Sequence, residues 1–184
     1  EKEISEITPI SDEKMGELFK TFENIAKNSH SAKEWIAAEA EISKKTQPFI
    51  SKEERLAMLK ERYGSGQARW NSKLRIVATS IEDIERQVFD ENSNVDILVA
   101  LQASGALQGV WPSVEINGKH FFDGGSFSME NPDVVVDADK MLVLSTGLPV
   151  DVPYKLEDLL AQLEKKGTET SLVLPSEKTM NILK

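Results

Sequence analysis

The stretch VEINGKHFFDGGSF, residues 114–127, decides how this chain folds and where its chemistry would lie. Val114 and Ile116 alternate with polar neighbours, Asn117 and Gly118 suit a two-residue primed turn, and "KHFF" then returns as a partner strand. The strand runs straight into Asp123, followed by Gly124 and Gly125. Strand ends are where α/β proteins place reactive side chains, and paired glycines permit positive φ or close backbone approach. A DG pair is also good turn chemistry. From these three residues alone, a positioned carboxylate and a plain turn both stand.

Outward from this hairpin the pattern is mixed. "LRIVAT" (74–79) is a short apolar, β-branched run of the kind found in buried strands, and "RQVFD" (86–90) suits a strand beside it. Residues 95–107 predict a helix whose later small residues permit close packing. "KMLVLS" (140–145) and "SLVLP" (171–175) predict two more strands flanking a helix over 155–166 that Gly167 closes, with a last helical start at Ser176. The first third is helical. Met15, Leu18, Phe19, Phe22, Ile25 and Ala26 recur at helical spacing after Ser11 or Asp12. A capping box from Ser31 to Glu34 opens a second helix carrying Trp35, Ile36, Glu39 and Ile42, which Pro48 ends. A third begins at Ser51 with Glu54, presents Leu56, Leu59 and Tyr63 on one face and stops at Gly64. The expected fold is α/β, with a mainly parallel sheet and a helical segment at the front, over residues 1–66.

Composition narrows the functions. With 184 residues and 40% hydrophobic side chains, the chain can build one sizeable core. Its 22 basic and 31 acidic residues give a net charge of −9, which argues against a nucleic-acid or anionic-membrane footprint. It has no cysteine, which suits the cytoplasm, and no apolar run long enough to span a bilayer. His30 and His120 share no ligand-type spacing, so neither a metal nor any other cofactor is implied.

Several motifs fail on inspection. Asp90, Asn92, Asn94 and Asp96 alternate like the start of a calcium loop, but Val95 replaces the required glycine and Leu101 the closing glutamate, leaving a polar turn that caps the next helix. "GSGQAR" (64–69) follows a helix and lacks the third glycine of a dinucleotide fingerprint, so it reads as a loop. No phosphate loop follows any predicted strand, which disfavours a nucleotide-binding domain. No GxSxG nucleophile elbow occurs. Ser126, in Gly124-Gly125-Ser126-Phe127-Ser128, lacks the closing glycine and precedes a loop, so it makes a poor nucleophile candidate.

Taken together, residues 70–184 resemble the later part of bacterial patatin-like phospholipases. The correspondence runs through Ala103-Ser104-Gly105-Ala106, Gly109-Val110-Trp111-Pro112, Val114 with Ile116, Gly118, Asp123-Gly124-Gly125 and the "KMLVLS" strand. Gln108 stands where the family usually has proline, and Ser113 where a second proline is expected, so the local shape of that loop wall departs from the family's. The resemblance implies a three-layer α/β/α domain. It also implies a serine hydrolase of lipid acyl esters in which the DGG aspartate, Asp123, acts directly on the serine without histidine, supported by Gly124 and Gly125. The family's glycine-rich loop and elbow serine lie ahead of the part represented here, so the expectation is a single incomplete domain over 1–184. The α/β portion, 67–184, would carry the aspartate, and the chain alone would be inactive. A lipid or acyl-ester substrate, and peripheral membrane contact through the helical first third, go with that reading. A non-catalytic lipid-binding or regulatory module on the same fold is the alternative.

Overall fold

The computed structural model describes residues 10–47, 51–64, 68–135, 137–147, 152–153, 155–176 and 178–179. Three helices come first: α1 (Asp12–Asn28), α2 (Ala32–Lys45) and α3 (Lys52–Tyr63). Each begins where a serine hydroxyl accepts an otherwise orphaned amide: Ser11 from Lys14, Ser31 from Glu34 and Ser51 from Glu54. Only Ser51 forms the full reciprocal box, because the Glu34 carboxylate reaches past Ser31 to the His30 amide at 2.8 Å. Pro48 and residues 65–67 of the "GSGQAR" stretch lie outside the described residues. Tyr63, expected on the buried face of α3, is 44% exposed, while Arg55 is buried.

Strands β1 (Ile76–Ser80) and β2 (Arg86–Phe89) form an antiparallel pair, α4 (Ile97–Ser104) follows, and β3 (Val114–Ile116) and β4 (Lys119–Asp123) form the expected hairpin. Asn117 and Gly118 both take positive φ, 52° and 79°, as a primed turn requires. The sheet order is β2-β1-β4-β3, and every pairing in it is antiparallel. This corrects the expected mainly parallel sheet. Parallel pairing occurs only between β5 (Lys140–Leu144) and β6 (Glu169–Val173), joined through α5 (Leu156–Lys165). Connection length accounts for the β1–β2 and β3–β4 pairings: the turns at 81–85 and 117–118 are too short for the crossover of a dozen or so residues that parallel neighbours need, whereas α5 supplies one between β5 and β6. Ser176 Oγ accepts from the Thr179 amide at 3.2 Å, as an N-cap would, and residues 180–184 lie outside the described set.

Helices pack on both faces of the four-stranded sheet. Phe121 joins Ile76, Phe89, Leu98 and Ala103 on the side of α4, and its ring meets that of Phe89 edge-on at 5.3 Å. Phe122, one residue on and therefore pointing the other way, joins Phe22, Trp35, Ile36 and Ala40 from α1 and α2. Asp123 thus ends a strand whose two preceding side chains, Phe121 and Phe122, are anchored in two separate cores. Around β5 and β6, Leu142, Leu144, Val173 and Leu174 remain exposed.

The turn after Asp123 depends on a close approach. A Cβ at Gly124 would lie 2.2 Å from the Val77 carbonyl oxygen on β1, and neither Gly124 nor Gly125 has the positive φ their spacing suggested. Gly124→Ala must therefore push the turn off β1, with an expected loss of about 2 kcal/mol or more. Gly16→Ala, in the interior of α1 with nothing within 4 Å of the added methyl, should instead gain about 0.5–1 kcal/mol. Urea unfolding of the two variants checks the contrast.

Candidate active site

Asp123 is held by its backbone before its side chain matters. Its amide donates to the Ala106 carbonyl at 3.2 Å, and its carbonyl accepts the Thr79 hydroxyl at 2.9 Å. The carboxylate Oδ1 accepts the Gly125 amide at 2.8 Å, capping a short 3-10 turn over Gly124–Ser126. The DG turn chemistry and the positioned carboxylate are thus one arrangement. The next loop is latched down as well: Asn131, at φ 47°, donates to the Gly124 carbonyl at 3.0 Å, and Arg86 holds Asp133 through two bonds of 2.7 and 2.8 Å.

Asp123 lines a cavity of about 480 Å³. Phe19, Phe22 and Trp35 come to it from α1 and α2, and Phe127, Met129 and Leu172 from other elements, so its lining is largely apolar. Burial among these groups is the main cause that lifts the Asp123 carboxyl to about 6, against smaller lowering effects from the Gly125 amide and the Arg55 cation. Arg55 is itself buried on α3, donates to the Gly105 carbonyl at 2.7 Å and stacks over the Trp111 ring at 4.5 Å. Burial lowers its own proton affinity to about 10, which leaves it charged at neutral pH.

The polar residues around Asp123 were not all foreseen. Ser126 does lie in the cavity, in the tight turn and not on a strand-to-helix elbow, and it is buried. Its carbonyl accepts the Trp35 indole N–H at 3.1 Å, and its hydroxyl accepts the Gln108 side-chain amide. Gln108, noted only as a departure from a proline pattern, is completely buried. Glu39, on the apolar face of α2, is 4% exposed and lines the same cavity. An acid within a helical stripe of Trp35, Ile36 and Ile42 was the available signal, as Arg55 beside Leu56 and Leu59 was on α3. His120 lies apart, exposed, with Nδ1 2.9 Å from Glu82. Asp90 and Asp96 form the polar turn: Asp90 accepts the Asn92 amide at 2.9 Å, and Asp96 caps α4 through Leu98 at 2.8 Å. Among the described residues, no three His, Cys, Asp or Glu side chains come together as a metal site would require.

A family model for patatin-like phospholipases matches residues 12–136, from the start of α1 past Asp123 and the loop behind it. The chain belongs to the patatin-like phospholipase family. No curated protein matches it. The family match takes in the helical first third, where the sequence carried no motif, so α1 to α3 are part of the patatin-like region. Membership places the chain among lipid acyl hydrolases, which act on lipid substrates. No helix among the described residues is long and apolar enough to cross a membrane.

The raised proton affinity of Asp123 makes a stability prediction. Its folded value of about 6 lies above the ordinary aspartate value of about 3.9, so the folded state binds this proton more tightly. The resulting stability is fully present below about pH 4 and is lost as pH rises through about 6. Asp123→Asn, whose side-chain oxygen can still accept from Gly125, should match the wild type near pH 4 and exceed it by about 1–3 kcal/mol at pH 8. Denaturation at the two pH values measures the difference.

Proposed function

We propose that Asp123 is the general base of a serine hydrolase of lipid acyl esters, acting on a serine supplied by a segment other than residues 1–184. The observation that carries this reading is the Asp123 carboxyl at a strand end, on a largely apolar cavity of about 480 Å³, with its proton affinity raised to about 6. An ordinary aspartate is too weak a base to draw a proton from a hydroxyl, and burial corrects part of that deficit. As the serine Oγ bonds to the ester carbonyl carbon, its proton passes to Asp123 and the carbonyl π electrons move to the oxygen. The C–O bond to the leaving group then breaks and the alkoxide takes the proton back. Water repeats the sequence on the acyl-enzyme and frees the carboxylic acid. Backbone donors for the oxyanion would come with the serine segment, and that unit would complete the three-layer α/β/α arrangement. Phe19 and Met129, at the cavity and each 38% exposed, would meet lipid from a membrane surface in a peripherally bound enzyme.

The bond from Gly125 to Asp123 would equally serve a non-catalytic lipid-binding module in which the aspartate only shapes a turn. A fluorophosphonate probe separates the readings. The full-length gene product should label, the isolated 184-residue chain should not, and Asp123→Asn should slow labelling of the full-length protein by about 100-fold or more. Labelling of the isolated chain would contradict an external serine, and unchanged labelling of Asp123→Asn would contradict the base. A full-length protein that binds phospholipid vesicles yet never labels would favour the non-catalytic module.

A further inference from the structure

We infer that Arg55 is a positioning residue for Asp123: from α3 its guanidinium holds the Gly105 carbonyl, and through the Gly105–Ala106 backbone it fixes the acceptor that grips the Asp123 amide. The inference rests on the proposed function for its catalytic meaning, while its structural content is tested without substrate or nucleophile.

The need for a brace follows from the sheet. β3 pairs with β4 only as far as Val114 and Phe121, so at Asp123 the strand keeps β1 on one side, through Ala78, and loses its strand neighbour on the other. Ala106 takes that place: its carbonyl accepts the Asp123 amide at 3.2 Å. Ala106 lies just past the end of α4, in a loop whose path no helix fixes. Its position is set one peptide earlier. The Gly105–Ala106 peptide is planar, and both of its polar groups are engaged: the Gly105 carbonyl accepts Arg55 Nη2 at 2.7 Å, and the Ala106 amide donates to the Ala103 carbonyl at 3.1 Å. With that plane held on both sides, only the backbone torsions of Ala106, a fully buried residue, remain to aim its own carbonyl at Asp123.

Arginine suits this task for two reasons of geometry. Its guanidinium stacks over the Trp111 ring at 4.5 Å while Nη2 holds Gly105, so one side chain clamps both ends of the loop 105–111, whose middle residues Leu107 and Gln108 line the cavity beside Asp123. A lysine ammonium, a point charge on a flexible stem, has no flat face for the ring. Arg55 is also the buried residue of α3, and among the described residues its Nη1 is buried without a partner, a cost that packing alone would avoid with an apolar side chain. Electrostatics run the same way: the Arg55 cation lowers the proton affinity of Asp123, and the Asp123 charge raises that of Arg55. From α2 the group that shares this field is Glu39, and Glu130, Lys155 and Glu157 also line the cavity.

Native-state hydrogen exchange of the 184-residue chain compares the Asp123 amide with the Ile81 amide, which donates to the His120 carbonyl near the start of β4. Arg55→Met and Arg55→Gln, which both remove the charge and the fork, should raise the Asp123-to-Ile81 ratio of exchange rates about 10-fold. Leu59→Ala, which loosens α3 against the core without touching Gly105, should leave that ratio within about 2-fold of the wild type. In a ¹³C titration of aspartate carboxyls, Arg55→Met and Arg55→Gln should raise the Asp123 midpoint by about 0.5 unit or more, and Arg55→Lys, which restores the charge, should bring it back towards the wild type. A wild-type exchange ratio in both Arg55→Met and Arg55→Gln would overturn the inference, as would an equal rise in Leu59→Ala or an Asp123 midpoint indifferent to all three Arg55 variants. In the full-length gene product, Arg55→Gln should slow fluorophosphonate labelling about 10-fold. Absence of labelling in the full-length wild type would contradict the hydrolase and not the brace, which the exchange ratio decides.

Discussion

The rest of the structure depends on the contact between Gly124 and the Val77 carbonyl. Because no side chain intervenes, the chain leaving β4 turns tightly against β1, and the Asp123 carboxylate is delivered at a fixed position at the end of an interior strand. The pairing of Ala78 with Asp123 sets the register, and the alternation of Phe121 and Phe122 into two cores prevents it from slipping. A slip of one residue would exchange the two phenylalanines and turn the carboxylate to the other face.

Around this fixed point the molecule collects groups that a stability argument alone would not choose. A half-buried aspartate, a buried glutamate and a buried arginine with an unbonded Nη1 occupy neighbouring positions contributed by β4, α2 and α3. Each is costly by itself, since ions lose hydration on burial. Together they constrain one another: Arg55 favours the charge on Asp123, and that charge disfavours one on Glu39. Local destabilisation concentrated at a cavity is what a reactive site requires of its scaffold.

Much of this was readable in the sequence. The NG turn, the short β-branched strands and the serine caps are decided by local backbone preferences, so most elements appear within a residue or two of their expected places, while the helix expected over 95–107 ends earlier, at Ser104. Strand direction was not readable from the order of elements. The shortness of two turns makes β1–β2 and β3–β4 antiparallel, and the pairing of β1 with β4, which joins those two hairpins, is set by packing between distant segments. Asp123 was visible because a strand end and two glycines mark it locally. Glu39, Gln108 and Arg55 are brought to it from 84, 15 and 68 residues away by the packing of α2, the loop after α4, and α3. Sequence spacing does not encode such meetings, and a lone polar residue in an apolar stripe is only a hint of them. The helical first third carried no motif because its contribution is an amphipathic face, a pattern that many unrelated helices share.

The account stands or falls on the proton affinity of one carboxyl. Its most direct measurement is a ¹³C titration of aspartate side chains in the wild-type chain, with the Asp123 resonance identified by its absence from the Asp123→Asn spectrum. A midpoint near 6 would show a carboxylate made more basic by its cavity, as required for taking a proton from a hydroxyl. A midpoint at the ordinary aspartate value of about 3.9 would mean a solvated turn residue and would contradict the proposed role.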